Sequence, residues 1–288
     1  MKQYKAIFFD WDGTAVLSRK APVEEAVLPM KKLLQKGVPL AIISGTTYEN
    51  IAGGKLESYF TAQELKSLFL GLGRGAYNYR FNAEGKPAVY QNHIPKKEVL
   101  LAIHDVCYEM HKQLLKEYGM QTDIVFSRPG YCKIDLMVEV DRGENLFLQQ
   151  NELQTLNNYF EKHGYHGKLE QLMQLGAELG QKKGVPLKIT SDAKYLEVGT
   201  TDKSDNVDGI LSTLEQEQGI APQDCCYWGD EYLGLGQGLF GSDSFMMTKK
   251  TLPGDFFDVS ETEGERPAKV QHLGGGVDRF LDFLHQQC

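Results

Sequence analysis

The chain has 288 residues, of which 41% are hydrophobic and 24% charged, and its formal net charge is −8 at pH 7. This length fits a main domain with a second, smaller one, and the composition is typical of soluble globular proteins. The negative charge argues against nucleic acid and membranes as partners, but a helix N-terminus or a local cation can still hold a small phosphorylated metabolite.

The compartment is predicted from the cysteines and from the apolar runs. Five cysteines without metal-ligand spacing indicate reduced core thiols. No apolar run approaches the roughly 18 residues that cross a bilayer, and the N-terminus has no cleavable signal pattern. We therefore expect a cytoplasmic protein. Its oligomeric state is left open between a monomer and a small homo-oligomer.

The first predicted element is a buried strand at residues 6–9, which is followed at once by Asp10, Asp12, Gly13 and Thr14. Ligands of parallel α/β sheets bind beyond the carboxyl ends of the strands, so this pair of carboxylates suits an ion or a phosphate. A surface turn or a calcium loop is the alternative. A calcium loop is disfavoured because Thr14 stands where a further acid or amide is needed and because a strand, not a helix, precedes the loop.

A second strand is predicted after a helix, and it places a hydroxyl beside these acids. The helix spans 23–36, the strand spans 38–43, and Ser44-Gly45-Thr46 follows. The β-α-β order predicts a parallel pair with Asp10 and Ser44 at one edge. Ser44 alone is typical of a helix cap, and Thr46 also suits capping better than substrate binding. The next predictions are a helical stretch at 47–57, a strand at 68–72 and a hairpin at 77–92.

The pattern changes near residue 93 and changes back near 190, which predicts an inserted α/β domain. We expect helices at 97–118, 146–161 and 167–180, and strands at 134–140, 186–190 and 193–198. After the insertion come a turn with Lys203, a helix at 207–215, a strand at 224–228, a short strand at 244–247, a loop at 251–268 and a helix at 277–285.

The residues at the predicted strand ends and helix starts are those that phosphoryl transfer requires. A carboxylate can attack phosphorus, and a second carboxyl group can protonate the leaving oxygen and then activate water. A hydroxyl and an ammonium can hold the phosphoryl oxygens, and Mg²⁺ prefers one or two carboxylates together with phosphate and water. Asp10, Asp12, Ser44, Lys203 and Asp230 supply these groups.

The order Asp10-Trp-Asp12-Gly-Thr14, Ser44-Gly45, Lys203 and Gly229-Asp230 resembles the haloacid dehalogenase superfamily of phosphohydrolases. The resemblance implies a Rossmann-like parallel sheet at 1–92 and 191–288. An insertion at 93–190 is similar to the substrate-specificity cap of the Cof-type and sucrose-phosphatase-like branches. Whether this cap or the loop at 251–268 sets specificity stays open.

The resemblance also implies roles. Asp10 is expected to be the nucleophile and a metal ligand, and Asp12 the general acid and base with its carbonyl on the metal. Ser44 and Lys203 are expected to hold the phosphoryl group, and Asp230 to bind Mg²⁺. The expected substrate contacts are Thr14, Gly45 and Thr46 in the core and Arg128 and Lys133 in the cap, where surface side chains are the alternative reading.

One motif departs from the Cof-type pattern Gly-Asp-x-x-Asn-Asp, because Leu233-Gly234 replaces Asn-Asp. Glu231 and Asp243 are both candidates to complete the metal shell. We expect a Mg²⁺-dependent phosphatase that acts on a small phosphate monoester such as a sugar phosphate. The alternatives are a phosphomutase of the same superfamily and a non-catalytic protein that binds a phosphorylated ligand.

Overall fold

The computed structural model describes residues 2–139, 152–236 and 238–288. Its helices and strands, in chain order, are β1 (Ala6–Phe9), α1 (Glu24–Gln35), β2 (Leu40–Ile43), α2 (Ala62–Leu65), β3 (Leu68–Leu72), β4 (Tyr77–Phe81), β5 (Pro87–Asn92), α3 (Lys97–Tyr118), β6 (Asp123–Val125), β7 (Tyr131–Asp135), α4 (Glu152–Lys162), α5 (Leu169–Lys182), β8 (Lys188–Ser191), β9 (Tyr195–Gly199), α6 (Lys203–Gln218), β10 (Cys225–Gly229), β11 (Gly234–Gly236), β12 (Leu239–Phe240), β13 (Asp255–Asp258), β14 (Val270–His272) and α7 (Gly276–Gln287).

The chain divides into two compact units, which are described separately. The first unit comprises Met1–His93, Lys203–Leu233 and Asp243–Cys288, and the second comprises Ile94–Asp202 and Gly234–Ser242. No helix in the described part of the chain is long and apolar enough to cross a membrane.

The first unit is built on an eight-stranded sheet with the order β14-β13-β10-β1-β2-β3-β4-β5. The strands from β14 to β3 are parallel, and β4 and β5 extend the sheet as an antiparallel hairpin. From β1 the chain continues to β2 on one side, and it returns later to β10 on the other. The order therefore reverses between β1 and β10, which is where ligands bind in sheets of this kind.

Apolar layers cover both faces of this sheet, so its central strands are apolar at every position. Successive side chains of a strand point to opposite faces. Phe9 accordingly packs in the layer that includes Phe280 of α7, and Phe8 packs in the opposite layer with Ile210 of α6. This two-sided burial explains why the sequence shows a continuous apolar run here rather than alternation.

The second unit is an antiparallel sheet with the order β6-β7-β9-β8 and helices packed on one face. Ile103 and Met110 of α3 and Leu172 of α5 share an apolar cluster with Ile134 of β7. The hairpin of β11 and β12 belongs to this unit, and Leu235 joins the same cluster.

The bounds of the inserted unit differ from those expected from the sequence. It extends from 94 to 202 rather than from 93 to 190, because β9 pairs with β7 and β8 pairs with β9. It also includes residues 234–242, which the sequence predicts to lie in the core. Long-range strand pairing decides these bounds, and no linker composition marks them in the sequence.

Several predicted elements differ as well. The stretch 47–57 forms short 3₁₀ turns rather than a helix, because Ala52, Gly53 and Gly54 have positive φ. Residues 244–247 lie in or beside a 3₁₀ turn and not a strand, and the expected loop at 251–268 contains β13. The strand expected at 134–140 is Tyr131–Asp135, and the first residues of the helix expected at 146–161 lie outside the described residues.

Candidate active site

The candidate site lies where the carboxyl ends of β1 and β10 meet. Phe9 is in register with Trp228, and the backbone N–H of Asp10 donates to the carbonyl oxygen of Trp228 at 2.9 Å. The chain turns away from the sheet immediately beyond these residues on both strands. The loops that begin with Asp10 and Asp230 are therefore neighbours, although the two residues are far apart in the sequence.

A buried lysine connects this edge of the sheet to α6. Lys203 is the first residue of that helix and is 6% exposed. Its ammonium lies 2.8 Å from Oδ1 of Asp10 and 2.7 Å from Oδ1 of Asp243. Burial alone would lower the pKa of Lys203, but the two carboxylates raise it well above its ordinary value. The lysine therefore carries a fixed positive charge beside Asp10.

Asp230 lies directly against the loop that follows β1. Gly13 has a φ of +87°, and a Cβ at this position would lie 2.2 Å from Oδ2 of Asp230. The hydroxyl of Thr14 donates to Oδ1 of Asp230 at 2.9 Å. Only glycine adopts this φ readily and also leaves room for the carboxylate of Asp230. Gly13 and Thr14 together therefore bring the two acidic loops into contact.

Asp12 has one paired and one unpaired carboxylate oxygen. Nε of Arg19 donates to Oδ2 at 3.0 Å, whereas Oδ1 is buried and has no hydrogen-bond partner among the described residues. Burial raises the pKa of Asp12, and the positive charges of Arg19 and Lys203 oppose that rise.

Ser44 and Thr46 follow β2, which is the neighbour of β1 on the other side. Ser44 is buried, and its Oγ accepts from the backbone N–H of Thr46 at 3.3 Å. Oγ1 of Thr46 accepts from Asn50 at 2.9 Å, so this side chain stabilises its own loop. Gly45 lies between them, and a Cβ there would meet no atom of the described residues within 4 Å.

Both carboxylate oxygens of Asp243 already bind groups of the protein. Oδ1 accepts from Lys203, and Oδ2 accepts from the backbone N–H groups of Asp230 at 3.0 Å and of Glu231 at 2.8 Å. Asp243 is fully buried. This arrangement holds the loop after β10 and the lysine together, and metal binding by Asp243 stays a prediction.

The donor chemistry of the site fits Mg²⁺. Burial and the negative charges of their acidic neighbours raise the pKa values of Asp10 and Asp230 well above the ordinary range, which is what an excess of buried carboxylates over cations produces. Within the described residues, no three His, Cys, Asp or Glu side chains are grouped so that they could hold a metal ion alone. Mg²⁺ does not need such a cage, because it binds through one or two carboxylates plus phosphate and water. Asp10, Asp230 and the backbone carbonyl of Asp12 are the donors that suit it.

Two of the candidates belong to the second unit. Lys133 pairs with Glu197 at 2.7 Å and lies 5.1 Å from the ring centre of Tyr195. Nε of Arg128 is buried and has no hydrogen-bond partner in the described part of the chain. A substrate contact for either residue stays a prediction.

Two residues near the site were missed by the sequence reasoning. Asn206, three residues after Lys203, is fully buried and donates to the carbonyl oxygen of Tyr77 at 3.0 Å while accepting from the N–H of Gly75 at 2.8 Å. It fixes the start of α6 against the sheet. Arg19 is the other, and only its spacing of seven residues from Asp12 could have drawn attention to it.

Comparisons with known proteins give fold neighbours only. No protein-family model and no curated protein matches the chain. The IMP-bound, N-terminally truncated IMP-nucleotidase of Plasmodium falciparum superimposes with a TM-score of 0.61 at 14% identity, over 99% of this chain and 68% of that one. The sucrose-phosphatase of Synechocystis, solved with sucrose and phosphate, gives 0.54 at 11% identity, over 100% and 98%. A crystal structure from Eubacterium rectale gives 0.55 at 13% identity, over 99% of both chains.

Likeness at these identities shows the fold. It confirms the predicted α/β architecture with a large, mostly parallel sheet. The activity and the roles of individual residues rest on the site itself.

Proposed function

We propose that this chain, which has the haloacid dehalogenase fold, is a Mg²⁺-dependent phosphatase that hydrolyses a small phosphate monoester through an aspartyl phosphate on Asp10. The observation that carries the proposal is the buried ammonium of Lys203, which contacts Asp10 at the edge of the sheet where Asp12 and Asp230 also lie. A cation beside a carboxylate nucleophile attracts a phosphate dianion that the carboxylate alone would repel.

In the first half-reaction, an oxygen of Asp10 bonds to phosphorus while the bond between phosphorus and the ester oxygen breaks. The carboxyl group of Asp12 gives its proton to the leaving oxygen. In the second, Asp12 takes a proton from water, which attacks phosphorus and releases Asp10 and inorganic phosphate. Lys203 and the Ser44 hydroxyl hold the phosphoryl oxygens.

Mg²⁺, when bound by Asp10, Asp230 and the carbonyl of Asp12, would neutralise phosphoryl charge as a Lewis acid. Glu231 remains a candidate further ligand in this proposal. Asp243 takes another role, since its oxygens bind Lys203 and two backbone amides. The Cof-type pattern has an aspartate at position 234, where this chain has glycine. In this proposal Asp243, which follows the β11–β12 hairpin, supplies that carboxylate instead.

The proposed substrate is defined only as a class of phosphate monoesters. The fold neighbours include an enzyme solved with IMP and one solved with sucrose and phosphate, so sugar phosphates and nucleoside 5′-monophosphates are the first esters to test. Among these, a sugar phosphate remains our preferred substrate because of the similarity to the sucrose-phosphatase branch.

The test is phosphate release from these esters with Mg²⁺, measured on the wild type, Asp10→Asn and the control Asp224→Asn. Asp224 pairs with Lys5 on the surface, so its variant should keep full activity. We expect Asp10→Asn to release no phosphate, and acid-quenched wild type to carry a radiolabelled phosphoryl group that hydroxylamine removes. A wild type that releases no phosphate from any ester would contradict the proposal. Isomerised substrate without phosphate release, detected by phosphorus NMR, would indicate a phosphomutase.

A further inference from the structure

The loop after β1 turns back on itself and brings Arg19 to Asp12. The N–H of Val16 donates to the carbonyl oxygen of Trp11 at 3.0 Å, and the N–H of Gly13 donates to the carbonyl oxygen of Val16 at 2.7 Å. These tight turns reverse the chain direction within a few residues. Arg19, seven positions beyond Asp12, therefore reaches it with Nε.

The contact between these two side chains involves only one atom of each polar group. Nε of Arg19 binds Oδ2 of Asp12 at 3.0 Å, and no second hydrogen bond between the guanidinium and the carboxylate is formed in the described structure. Oδ1 is left buried and has no hydrogen-bond partner among the residues that the structure describes. A buried carboxylate oxygen without a hydrogen bond is costly, and such atoms are uncommon unless they serve a purpose.

The pair contributes little to folding by itself. The side chain of Arg19 is 40% exposed and that of Asp12 is 10% exposed. An ion pair with one partner this exposed typically contributes little to stability. A variant at position 19 should therefore fold, and a loss of activity in it would report on the arrangement of Asp12 rather than on unfolding.

We propose that Arg19 is a positioning residue that holds Oδ2 of Asp12, so that Oδ1 is the atom that exchanges the proton with the leaving group and with water. The inference rests on the proposed phosphatase function. During ester cleavage the proton passes from Oδ1 to the leaving oxygen as the phosphorus–oxygen bond breaks. Without Arg19 the carboxyl group can rotate about its Cβ–Cγ bond, and Oδ1 no longer has a fixed direction.

The test compares two esters that differ in how much they need a general acid. A nitrophenolate leaves readily without a proton, whereas an alkoxide from an alkyl or sugar phosphate does not. The parameter kcat/KM covers substrate binding and the steps up to the transfer of the phosphoryl group to Asp10, so it includes the proton donation to the leaving group and leaves out the later removal of a proton from water. We expect Arg19→Ala to lower kcat/KM for the alkyl ester about tenfold or more, and for p-nitrophenyl phosphate less than about threefold.

Two further variants separate positioning from the loss of a charge. Arg19→Lys keeps a donor for Oδ2 and should restore part of the alkyl-ester activity. Lys20→Ala removes the neighbouring exposed cation and should leave kcat/KM for both esters unchanged.

Equal losses of kcat/KM on both esters, or no rescue by lysine, would overturn the proposal. An effect confined to KM, and only for esters with a second anionic group, would instead make Arg19 a substrate contact. A wild type inactive on both esters would refute the phosphatase function, a result distinct from all of these.

Discussion

Asp243 and Lys203 form a buried ion pair, with 2.7 Å between Oδ1 and Nζ, at the point where the chain re-enters the first unit after the β11–β12 hairpin. The other oxygen of Asp243 holds the backbone of the loop that begins at Asp230. One side chain thus fixes both the lysine beside Asp10 and the loop that carries a proposed metal ligand.

Replacing Asp243 tests this double role. In Asp243→Asn one oxygen becomes an NH₂ group, which must face either the ammonium or the two backbone N–H groups, and all of these are donors. We expect the free energy of unfolding to fall by about 1–3 kcal/mol. We also expect phosphate release to fall about a hundredfold, because Lys203 is displaced.

Urea unfolding and phosphate release on the same preparations check this prediction. The control is Asp224→Asn, which removes a charge from the surface pair with Lys5 and should stay within about 0.5 kcal/mol of wild type. Wild-type stability and activity in Asp243→Asn would show that Asp243 does not position the site.

Thr14 should set the affinity of the proposed metal site. Its hydroxyl donates to Asp230 at 2.9 Å, and groups that orient a metal ligand typically change metal affinity 10- to 100-fold when removed. We expect Thr14→Val to raise the Mg²⁺ concentration for half-maximal activity about tenfold, whereas Thr14→Ser, which keeps the hydroxyl, stays near wild type. Activity should vanish with EDTA and return with added Mg²⁺. Identical Mg²⁺ titrations for the valine and serine variants would contradict the role of the hydroxyl.

Gly13 should tolerate no side chain. An alanine there would adopt a left-handed conformation that costs about 1–2 kcal/mol, and its Cβ would lie 2.2 Å from the Asp230 carboxylate. Gly37 is a matched control, since its φ is +76° but no atom in the described part of the chain lies within 4 Å of its ideal Cβ. Both alanine variants should lose stability in thermal unfolding, with the larger loss in Gly13→Ala, and only Gly13→Ala should lose activity. Equal activity in the two variants would refute the contact with Asp230.

The start of α2 offers a pH-dependent test of the fold. Thr61 and Glu64 form a reciprocal capping box, and Gln35 also donates to Glu64 at 2.7 Å. Burial pushes the pKa of Glu64 upward, but these hydrogen bonds hold it below its ordinary value. A lowered pKa means that the ionised form stabilises the fold above the ordinary pKa, and that this contribution is lost as the pH falls through the pKa of the folded state.

Unfolding in urea at several pH values measures this contribution. Thr61→Ala should lose about 1 kcal/mol at pH 7. Glu64→Gln should also be less stable than wild type at pH 7, and the difference should disappear under acidic conditions. Glu84→Gln, in an exposed turn, serves as the control. A difference for Glu64→Gln that is independent of pH would rule out the ionised carboxylate as its source.

Local sequence was sufficient to predict the strands that are buried on both faces and the acidic residues that follow them. The apolar runs at β1, β2, β3 and β10 were predicted to within a few residues, because two-sided burial forces a continuous apolar pattern. The helix Lys97–Tyr118 was predicted at its observed bounds. The hairpin of β4 and β5 was also predicted, since its turn residues are typical of hairpin loops.

The elements that were missed depend on partners far along the chain. β13 lies in a polar, acidic stretch and exists as a strand because it pairs with β10. The β11–β12 hairpin is glycine-rich and short, and Leu235 joins a cluster formed by residues before position 199. Neither local composition nor periodicity predicts these long-range contacts.

By itself the sequence determined the fold class, the order of the motifs and the chemical groups that line one edge of the sheet. Only the tertiary structure decided how each group is used. Asp243 was a candidate metal ligand by its residue type; in the structure its oxygens accept from Lys203 and two backbone amides, and on that basis we propose a positioning role for it. The physical reason is that residue type fixes charge and hydrogen-bonding capacity, whereas burial and long-range contacts fix which partner satisfies them.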